Sequence, residues 1–187
     1  MPFLTPSQAI ARQVPAQVYL HRHRLGKVLV TQTLEFDDKT IGLQLKDNTR
    51  KNKRPTADRH DWEVLAVAQL PTQATAAQVY LAMLELRRKR EKQYARAAVP
   101  GAELRQSKQF KYLAYTFETV ADLSTALRHV HEREPAAAAP VVYWANEWFR
   151  GDADRWAAAV EHRRLDVPRA GMAAATAQLG RLAEQDA

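Results

Sequence analysis

An alternating apolar segment in the middle of the chain, KQFKYLAY, constrains the possible folds more than any other feature. A two-residue period places Phe110 and Tyr112 on one side of a strand. Leu113 and Tyr115 fall on the other side, so both sides carry apolar groups. Strands of this kind usually lie in the middle of a sheet, with both faces covered. The segment therefore predicts a central strand over residues 108–117, packed on helices at one face and on a ligand or another part of the chain at the other.

The same segment resembles the longer ribonucleoprotein signature of the RNA-recognition-motif family, in which a basic residue precedes alternating aromatic positions. The residues that fit are Lys108, Phe110, Tyr112, Leu113 and Tyr115, whereas Gln109 and Lys111 depart from the pattern. Upstream, LAVAQL at residues 65–70 is similar to the family's shorter strand signature, with Ala66 where a base-stacking ring would be expected. The resemblance spans residues 61–148 and implies a sheet that binds RNA on its aromatic face.

The order of elements after Trp62 supports an α+β fold. An apolar strand ends at Pro71, and the Thr75 to Gln78 spacing is typical of a helix start. A short strand, the central strand, a second helix and a last strand follow, at residues 103–106, 108–117, 120–130 and 141–144. This order predicts a ferredoxin-like, RNA-recognition-motif-like antiparallel sheet with two helices on one face.

Three units are expected along the chain. The first is a β-hairpin extension, in which strands near 17–24, 28–36 and 41–45 are joined at 37–40 and followed by a basic loop. The last is a helical tail with helices at 152–165 and 169–185. The predicted units are therefore the extension at 1–60, the RNA-recognition-motif-like domain at 61–150 and the tail at 151–187.

Charge and cysteine content narrow the functional classes. The chain has 28 Lys and Arg against 21 Asp and Glu, a formal charge of +7, which favours nucleic acid as a partner. It has no cysteine, which excludes disulfides, thiolate metal sites and thiol nucleophiles. No segment has the roughly 20 consecutive apolar residues that cross a bilayer, so no membrane partner is expected. The start lacks the pattern of a signal peptide and the chain is rich in Ala and Arg, which predicts a cytoplasmic, bacterial protein.

The predicted site is the aromatic face of the central strand with cations around it. Phe110 and Tyr112 would stack on bases, while Lys108 and Arg105 would contact phosphates. Further phosphate contacts would come from the basic end of the first helix, expected to project into solvent or against a partner, and from the preceding loop: Arg87, Arg88, Arg90, Lys92, Arg50, Lys51, Lys53 and Arg54. We therefore expect a non-enzymatic binder of RNA or single-stranded DNA, with RNA preferred by resemblance. We expect no cofactor and no metal.

Two alternatives remain open at this point. The first is a histidine-dependent endoribonuclease, or a subunit of a bacterial CRISPR-type ribonucleoprotein, with His21, His23 or His60 as general acid or base. The second is a structural or regulatory protein of a mobile element, in which the sheet face is sealed and does not touch nucleic acid. Other protein subunits would be partners in either case. Trp148, near Arg150 at a strand end, could contact such a partner, although a tryptophan is more often part of a core.

Overall fold

The computed structural model describes residues 16–45, 54–97, 108–135 and 138–165, with the backbone alone at 94–97 and 108–114. Its main elements are β1 (Gln17–His23), β2 (Val28–Thr31), α1 (Asp38–Gln44), β3 (Trp62–Gln69), α2 (Gln73–Ala97), α3 (Lys108–Arg133), β4 (Val141–Trp144) and β5 (Glu161–Arg164). Short 3-10 turns lie at Arg59–Asp61, Glu147–Arg150 and Ala153–Arg155. The predicted α+β class is confirmed. Within the described ranges, no helix combines the length and the apolar character that a membrane span requires.

The five described strands form one sheet in the order β2-β1-β3-β4-β5. Neighbouring strands are antiparallel except for β4 and β5, which run parallel, so the sheet is mixed and not wholly antiparallel. Strands β1 and β2 belong to the predicted extension at 1–60, and β5 belongs to the predicted tail at 151–187. All three predicted units therefore contribute to a single sheet.

The N-terminal hairpin closes earlier than the alternating pattern suggested. β1 and β2 are joined through Gly26, whose φ of 76° lies in the left-handed region that glycine tolerates. The predicted turn at 37–40 is instead the start of α1, where the carboxylate of Asp37 accepts hydrogen bonds from the Thr40 backbone N–H at 2.7 Å and its hydroxyl at 2.6 Å. The strand predicted at 41–45 is wrong, because this N-cap and the following residues favour a helix.

The predicted central strand at 108–117 is also wrong, since these residues form the first turns of α3. The segment lacks a β-branched residue before Thr116, and Lys, Gln, Leu and Ala are good helix formers. Apolar residues continue at helical spacing downstream, and Val120, Leu123 and Leu127 are buried. A helix anchored by that buried stripe extends back through the alternating segment. The strand predicted at 103–106 lies outside the described residues.

The tail prediction at 152–165 is wrong as well. Gly151 has a φ of 69°, and the Trp156 indole donates to the backbone oxygen of Arg150 at 3.1 Å, which holds a turn there. β5 then pairs with β4, with the Glu161 N–H bonded to the Pro140 oxygen at 3.0 Å. An unpaired edge of β4 would leave backbone groups without partners, and this pairing satisfies them. The helix predicted at 169–185 lies outside the described residues.

Helices α2 and α3 cover one face of the sheet and enclose the main core. That core joins both helices to four strands, and its largest buried members are Leu20, Leu65, Met83, Leu123, Leu127 and Trp144. The opposite face carries two smaller clusters. One is centred on Tyr19 and Tyr143, and the other joins Ile41 of α1 to Trp62. Two helices on one face agree with the predicted layer arrangement.

The outer edge of β2 is closed by a side chain. The Gln44 amide donates to the Val30 carbonyl at 2.6 Å and accepts from the Val30 N–H at 3.1 Å. It thus makes the pair of bonds that a neighbouring strand would make. The Arg87 guanidinium adds a 2.9 Å bond to the Val28 carbonyl, so α1 and α2 together protect this edge.

Candidate nucleic-acid interface

The basic second half of α2 presents two different faces. Met83, Arg87 and Arg90 lie on the packed side, whereas Glu85, Arg88 and Lys92 lie on the exposed side, as the helical period requires. Arg87 is only 4% exposed, and its guanidinium also donates to Gln44 Oε1 at 3.0 Å. Its charge lies 5.9 Å from the centre of the Tyr115 ring. Arg87 therefore anchors the helix to the sheet edge.

Arg90 also has intramolecular partners. Its guanidinium makes two 2.7 Å hydrogen bonds to the carboxylate oxygens of Asp122 on α3, and its Nε lies 3.2 Å from Glu118. The expectation that the basic turns of α2 project freely into solvent is therefore wrong for Arg87 and Arg90. Both guanidinium groups serve packing within the chain.

Arg88, Lys89 and Lys92 remain exposed, and we call them the α2 cation face. Lys89 pairs with Glu85 at 2.9 Å, one helical turn earlier. Arg88 and Lys92 make neither a hydrogen bond nor a salt bridge to any described residue. The pKa of Glu85 is lowered mainly by its bond to Lys89 and, to a smaller extent, by the charge of Arg88. Because Arg88 and Lys92 are four positions apart, they stand one turn above the other and can meet successive phosphates of one strand.

The other predicted contact residues are only partly described. Phe110, Tyr112 and Lys108 lie in the first turns of α3, where the backbone alone is described, and the strand geometry that would set two rings side by side is absent. Arg105, Arg50, Lys51 and Lys53 lie outside the described residues. Arg54 is exposed, and its guanidinium lies over α1, where a Cβ at Gly42 would approach it to 2.8 Å.

His21, one of the candidate catalytic histidines, is fully buried between Tyr19 and Phe36. Its Nε2 lies 2.9 Å from the Thr31 hydroxyl, which itself donates to the Thr33 carbonyl at 2.6 Å. Because the hydroxyl hydrogen is used in that bond, Nε2 is the donor and the ring is the neutral Nε2–H tautomer. Burial lowers the pKa of His21 to about 3. The ring can neither reach a substrate nor become charged near neutral pH.

His23 is also closed to solvent, at 3% exposure. Its Nδ1 accepts from the Leu25 N–H at 3.1 Å, and its Nε2 lies 3.7 Å from Asp61. Burial lowers the pKa of His23, and the Asp61 carboxylate opposes that shift. His60 is exposed on a 3-10 turn. Across the described ranges, no group of three or more His, Asp or Glu side chains converges as metal ligands would.

One exposed aromatic residue lies apart from the predicted site. Trp148, in the 3-10 turn after β4, is 59% exposed, and it is followed at once by buried Phe149. In the sequence it could not be distinguished from a core tryptophan, because Trp62, Trp144 and Trp156 are all buried. The one feature of the sequence that indicated a contact role for Trp148 was its position close to Arg150 at the end of a predicted strand.

Comparison with known proteins places the chain in a family. A family model described as "Transcriptional regulation of mitochondrial recombination" matches residues 15–97, from β1 through α2. Large ribosomal subunit protein mL67 of Yarrowia lipolytica is 31% identical over 86% of this chain and 79% of its own length. The chain belongs to the mL67 family. The mL67 protein of Candida albicans is 29% identical over 86% of this chain and 68% of its own length.

Membership in the mL67 family corrects two predictions. The bacterial origin and the cytoplasmic location are wrong, because the mL67 relatives are eukaryotic and the family model refers to mitochondrial recombination. The bacterial CRISPR-type subunit loses its basis for the same reason. Neither the family model nor these relatives carry the name of the RNA-recognition motif, so that resemblance is limited to the general α+β arrangement.

Proposed function

We propose that this protein is a non-enzymatic, RNA-binding component of the large ribosomal subunit of mitochondria, where it contacts ribosomal RNA and neighbouring proteins. The observation that carries the proposal is the similarity over 86% of the chain to proteins named as large ribosomal subunit protein mL67. The formal charge of +7 suits a polyanionic partner. The closed environments of His21 and His23 favour a binder over a histidine-dependent nuclease.

The α2 cation face is the part of this surface that we assign to the RNA backbone. Arg88 and Lys92 are exposed and form no salt bridge with a described residue, so binding phosphates would break no direct ion pair. Arg87 and Arg90 hold the helix that carries them, which fixes the position of the two free charges. The remaining predicted cations would extend the footprint: Arg54, Arg50, Lys51, Lys53, Arg105 and Lys108.

DNA is a second candidate ligand, favoured by one observation. The family model that covers residues 15–97 is described by transcriptional regulation and mitochondrial recombination, which concern DNA. The α2 cation face lies within those residues, and phosphate contacts do not distinguish the two nucleic acids. The identity of the crosslinked polymer separates the candidates.

The test uses the full chain, tagged and expressed in its source organism. Mitochondria are lysed, sedimented through a density gradient and irradiated to crosslink protein to nucleic acid. The proposal expects the chain in the large-subunit fractions, crosslinked to large-subunit ribosomal RNA. A chain that sediments away from ribosomal subunits, or that crosslinks to mitochondrial DNA alone, would contradict it.

A charge-reversal pair tests the assigned surface. Arg88→Glu with Lys92→Glu should release the chain from the subunit at a lower salt concentration than the unmodified protein. Lys39→Glu, at an exposed position on α1, provides the matched control and should behave as the unmodified protein. Equal salt sensitivity of the double variant and the control would remove α2 from the interface.

A further inference from the structure

Trp148 has the exposure of a binding residue and the rigid support of a core residue. Its ring is 59% exposed, yet it packs edge-on against Phe117 at 5.2 Å and against Phe149 at 5.0 Å. The Trp148 backbone N–H is also held, by a 3.0 Å bond to Asn146 Oδ1. An indole fixed in this way loses little conformational freedom when it binds a flat ligand.

The support beneath Trp148 is tied into the sheet. Phe149 is buried, and the Arg22 guanidinium of β1 lies 4.9 Å from the centre of its ring. Arg22 in turn bonds Glu63 of β3 at 2.8 Å. The exposed indole therefore rests on a layer connected to two strands and to α3.

Two arginines close to Trp148 in the sequence or in the fold have no hydrogen bond or ion pair among the described residues. Arg164, at the end of β5, is exposed and lines an open cleft together with Ala145, Asn146 and Glu147, the residues that precede Trp148. Arg150 is two positions after Trp148, and its charge helps to lower the pKa of His162, for which burial is the main cause. Neither side chain has a hydrogen bond or an ion pair to another described residue.

An exposed ring with basic residues nearby is an arrangement by which proteins hold single-stranded nucleic acid. We propose that Trp148 stacks on an unpaired nucleobase of the bound RNA, and that Arg150 and Arg164 contact the phosphates that flank that nucleotide. This site rests on the proposed function, since it specifies the RNA as unpaired at this point. It lies outside the residues 15–97 that the family model covers.

The surroundings favour a nucleobase over an apolar protein surface. The other large apolar side chains that are well exposed in the described ranges are Leu25, Leu43 and Leu81, which belong to the β1–β2 turn, α1 and α2. Protein-docking patches are contiguous and apolar, with their charges at the rim. Here a single exposed ring has Arg150 two positions later, and Arg164 lines the adjoining cleft together with Glu147.

Fluorescence gives a direct measurement of stacking. Trp62, Trp144 and Trp156 are buried, so quenching by an added ligand reports mainly on Trp148. The purified full chain is titrated with a single-stranded RNA dodecamer and with the matching duplex. Stacking predicts that the single strand quenches the emission more than the duplex does, and that Trp148→Phe abolishes the quenching while keeping affinity within about threefold.

Affinity provides the second readout. Trp148→Ala should weaken binding of the single-stranded dodecamer by about 5-fold to 160-fold, the range that the loss of one stacked base gives. Leu81→Ala, at another exposed apolar position on α2, is the matched control and should bind as the unmodified chain. Arg164→Glu should weaken binding and reduce its salt dependence, which keeps the test valid should the alanine variant fold poorly.

Several outcomes would overturn the stacking site and leave the proposed function standing. One such outcome is that Trp148→Ala binds the dodecamer as tightly as the unmodified chain does, while Arg88→Glu with Lys92→Glu binds it weakly. In that case the RNA contacts lie on α2 and not at Trp148. Unchanged RNA affinity with reduced association with the large subunit would identify Trp148 as a protein contact. Absence of all RNA binding by the unmodified chain would contradict the proposed function first.

Discussion

The Arg90 guanidinium donates a 2.7 Å hydrogen bond to each carboxylate oxygen of Asp122, and this ion pair joins α2 to α3 across the sheet face. Both side chains are largely withdrawn from solvent, at 16% and 10% exposure. Two parallel charge-assisted bonds fix the relative position of two helices in a way that a single contact cannot. The exposed cations of α2 are therefore carried on a helix whose register is set by a buried ion pair.

Breaking this pair from one side should be more harmful than removing it. Arg90→Met leaves the Asp122 carboxylate buried and unpaired, and we expect the free energy of unfolding to fall by about 3–5 kcal/mol. Arg90→Met combined with Asp122→Leu should recover much of that loss. Urea unfolding of the four members of the double-mutant cycle measures the coupling. A double variant as unstable as the sum of the two single variants would show that the pair does not act as a unit.

Arg87 and Arg88 are adjacent on α2, and we expect the first to contribute to stability and the second to RNA binding. Arg87→Met leaves the Val28 carbonyl without its donor, so we expect a stability loss of about 2 kcal/mol. Arg88→Met, at an exposed position, should change stability by less than about 0.5 kcal/mol and should weaken RNA binding instead. Thermal unfolding and RNA titration of both variants check the distinction. It would be wrong if Arg88→Met were the less stable of the two.

The salt dependence of RNA affinity measures how many phosphate contacts the exposed cations of α2 make. Each lost phosphate contact reduces the slope of log affinity against log salt concentration by about 0.7 for a single strand and about 0.9 for a duplex. Arg88→Glu with Lys92→Glu should therefore reduce the slope by about 1 to 2. Filter binding to the same RNA from 50 to 300 mM salt measures it, with Lys39→Glu as the control. An unchanged slope would show that neither residue meets a phosphate.

Acid should destabilise the protein through His21. Its pKa is about 3 in the folded chain, against an ordinary value of 6.5, so between these values the unfolded chain binds a proton that the folded chain excludes. Stability from this group is thus present above pH 6.5 and is lost as the pH falls toward 3. The loss at pH 5 is about 2 kcal/mol for a shift of this size.

Removing the histidine should remove this dependence. In His21→Leu, the fall in unfolding free energy between pH 7.5 and pH 5 should be smaller than in the unmodified chain by about 2 kcal/mol. His60→Leu, at an exposed position, is the matched control. Urea unfolding at both pH values measures the difference. An equal fall in His21→Leu and in the unmodified chain would place the acid sensitivity elsewhere, with His23 and His162 next in line, since burial lowers the pKa of both.

The spacing of apolar residues predicted correctly those helices and strands whose structure depends on residues close in sequence. The strands that became β1, β3 and β4, and the buried stripe of α3 from Val120 to Leu127, were visible as period-2 or helical spacing. Residues 108–117 fit both periods, and the helix prevailed because it continues an anchored stripe downstream. β5 was missed because its structure depends on a distant strand that needed a partner.

Less of the candidate nucleic-acid interface than of the fold could be predicted from the sequence. A charged helix end was evident, but which arginines face the solvent depends on groups far along the chain. Gln44 is 43 positions from Arg87, and Asp122 is 32 positions from Arg90. No local spacing reveals such partners. The link to mitochondria comes from the description of the family model that matches residues 15–97, and the pattern of residues did not suggest it.

The hydrogen bonds of the Gln44 side-chain amide also affect how copies of this chain can associate with one another. An uncapped β2 would offer Val28 and Val30 as a template on which a second copy could add its own strand. With the amide and Arg87 occupying those backbone groups, the sheet cannot grow in that direction. We therefore expect that copies of this chain do not associate through the β2 edge, even at high concentration.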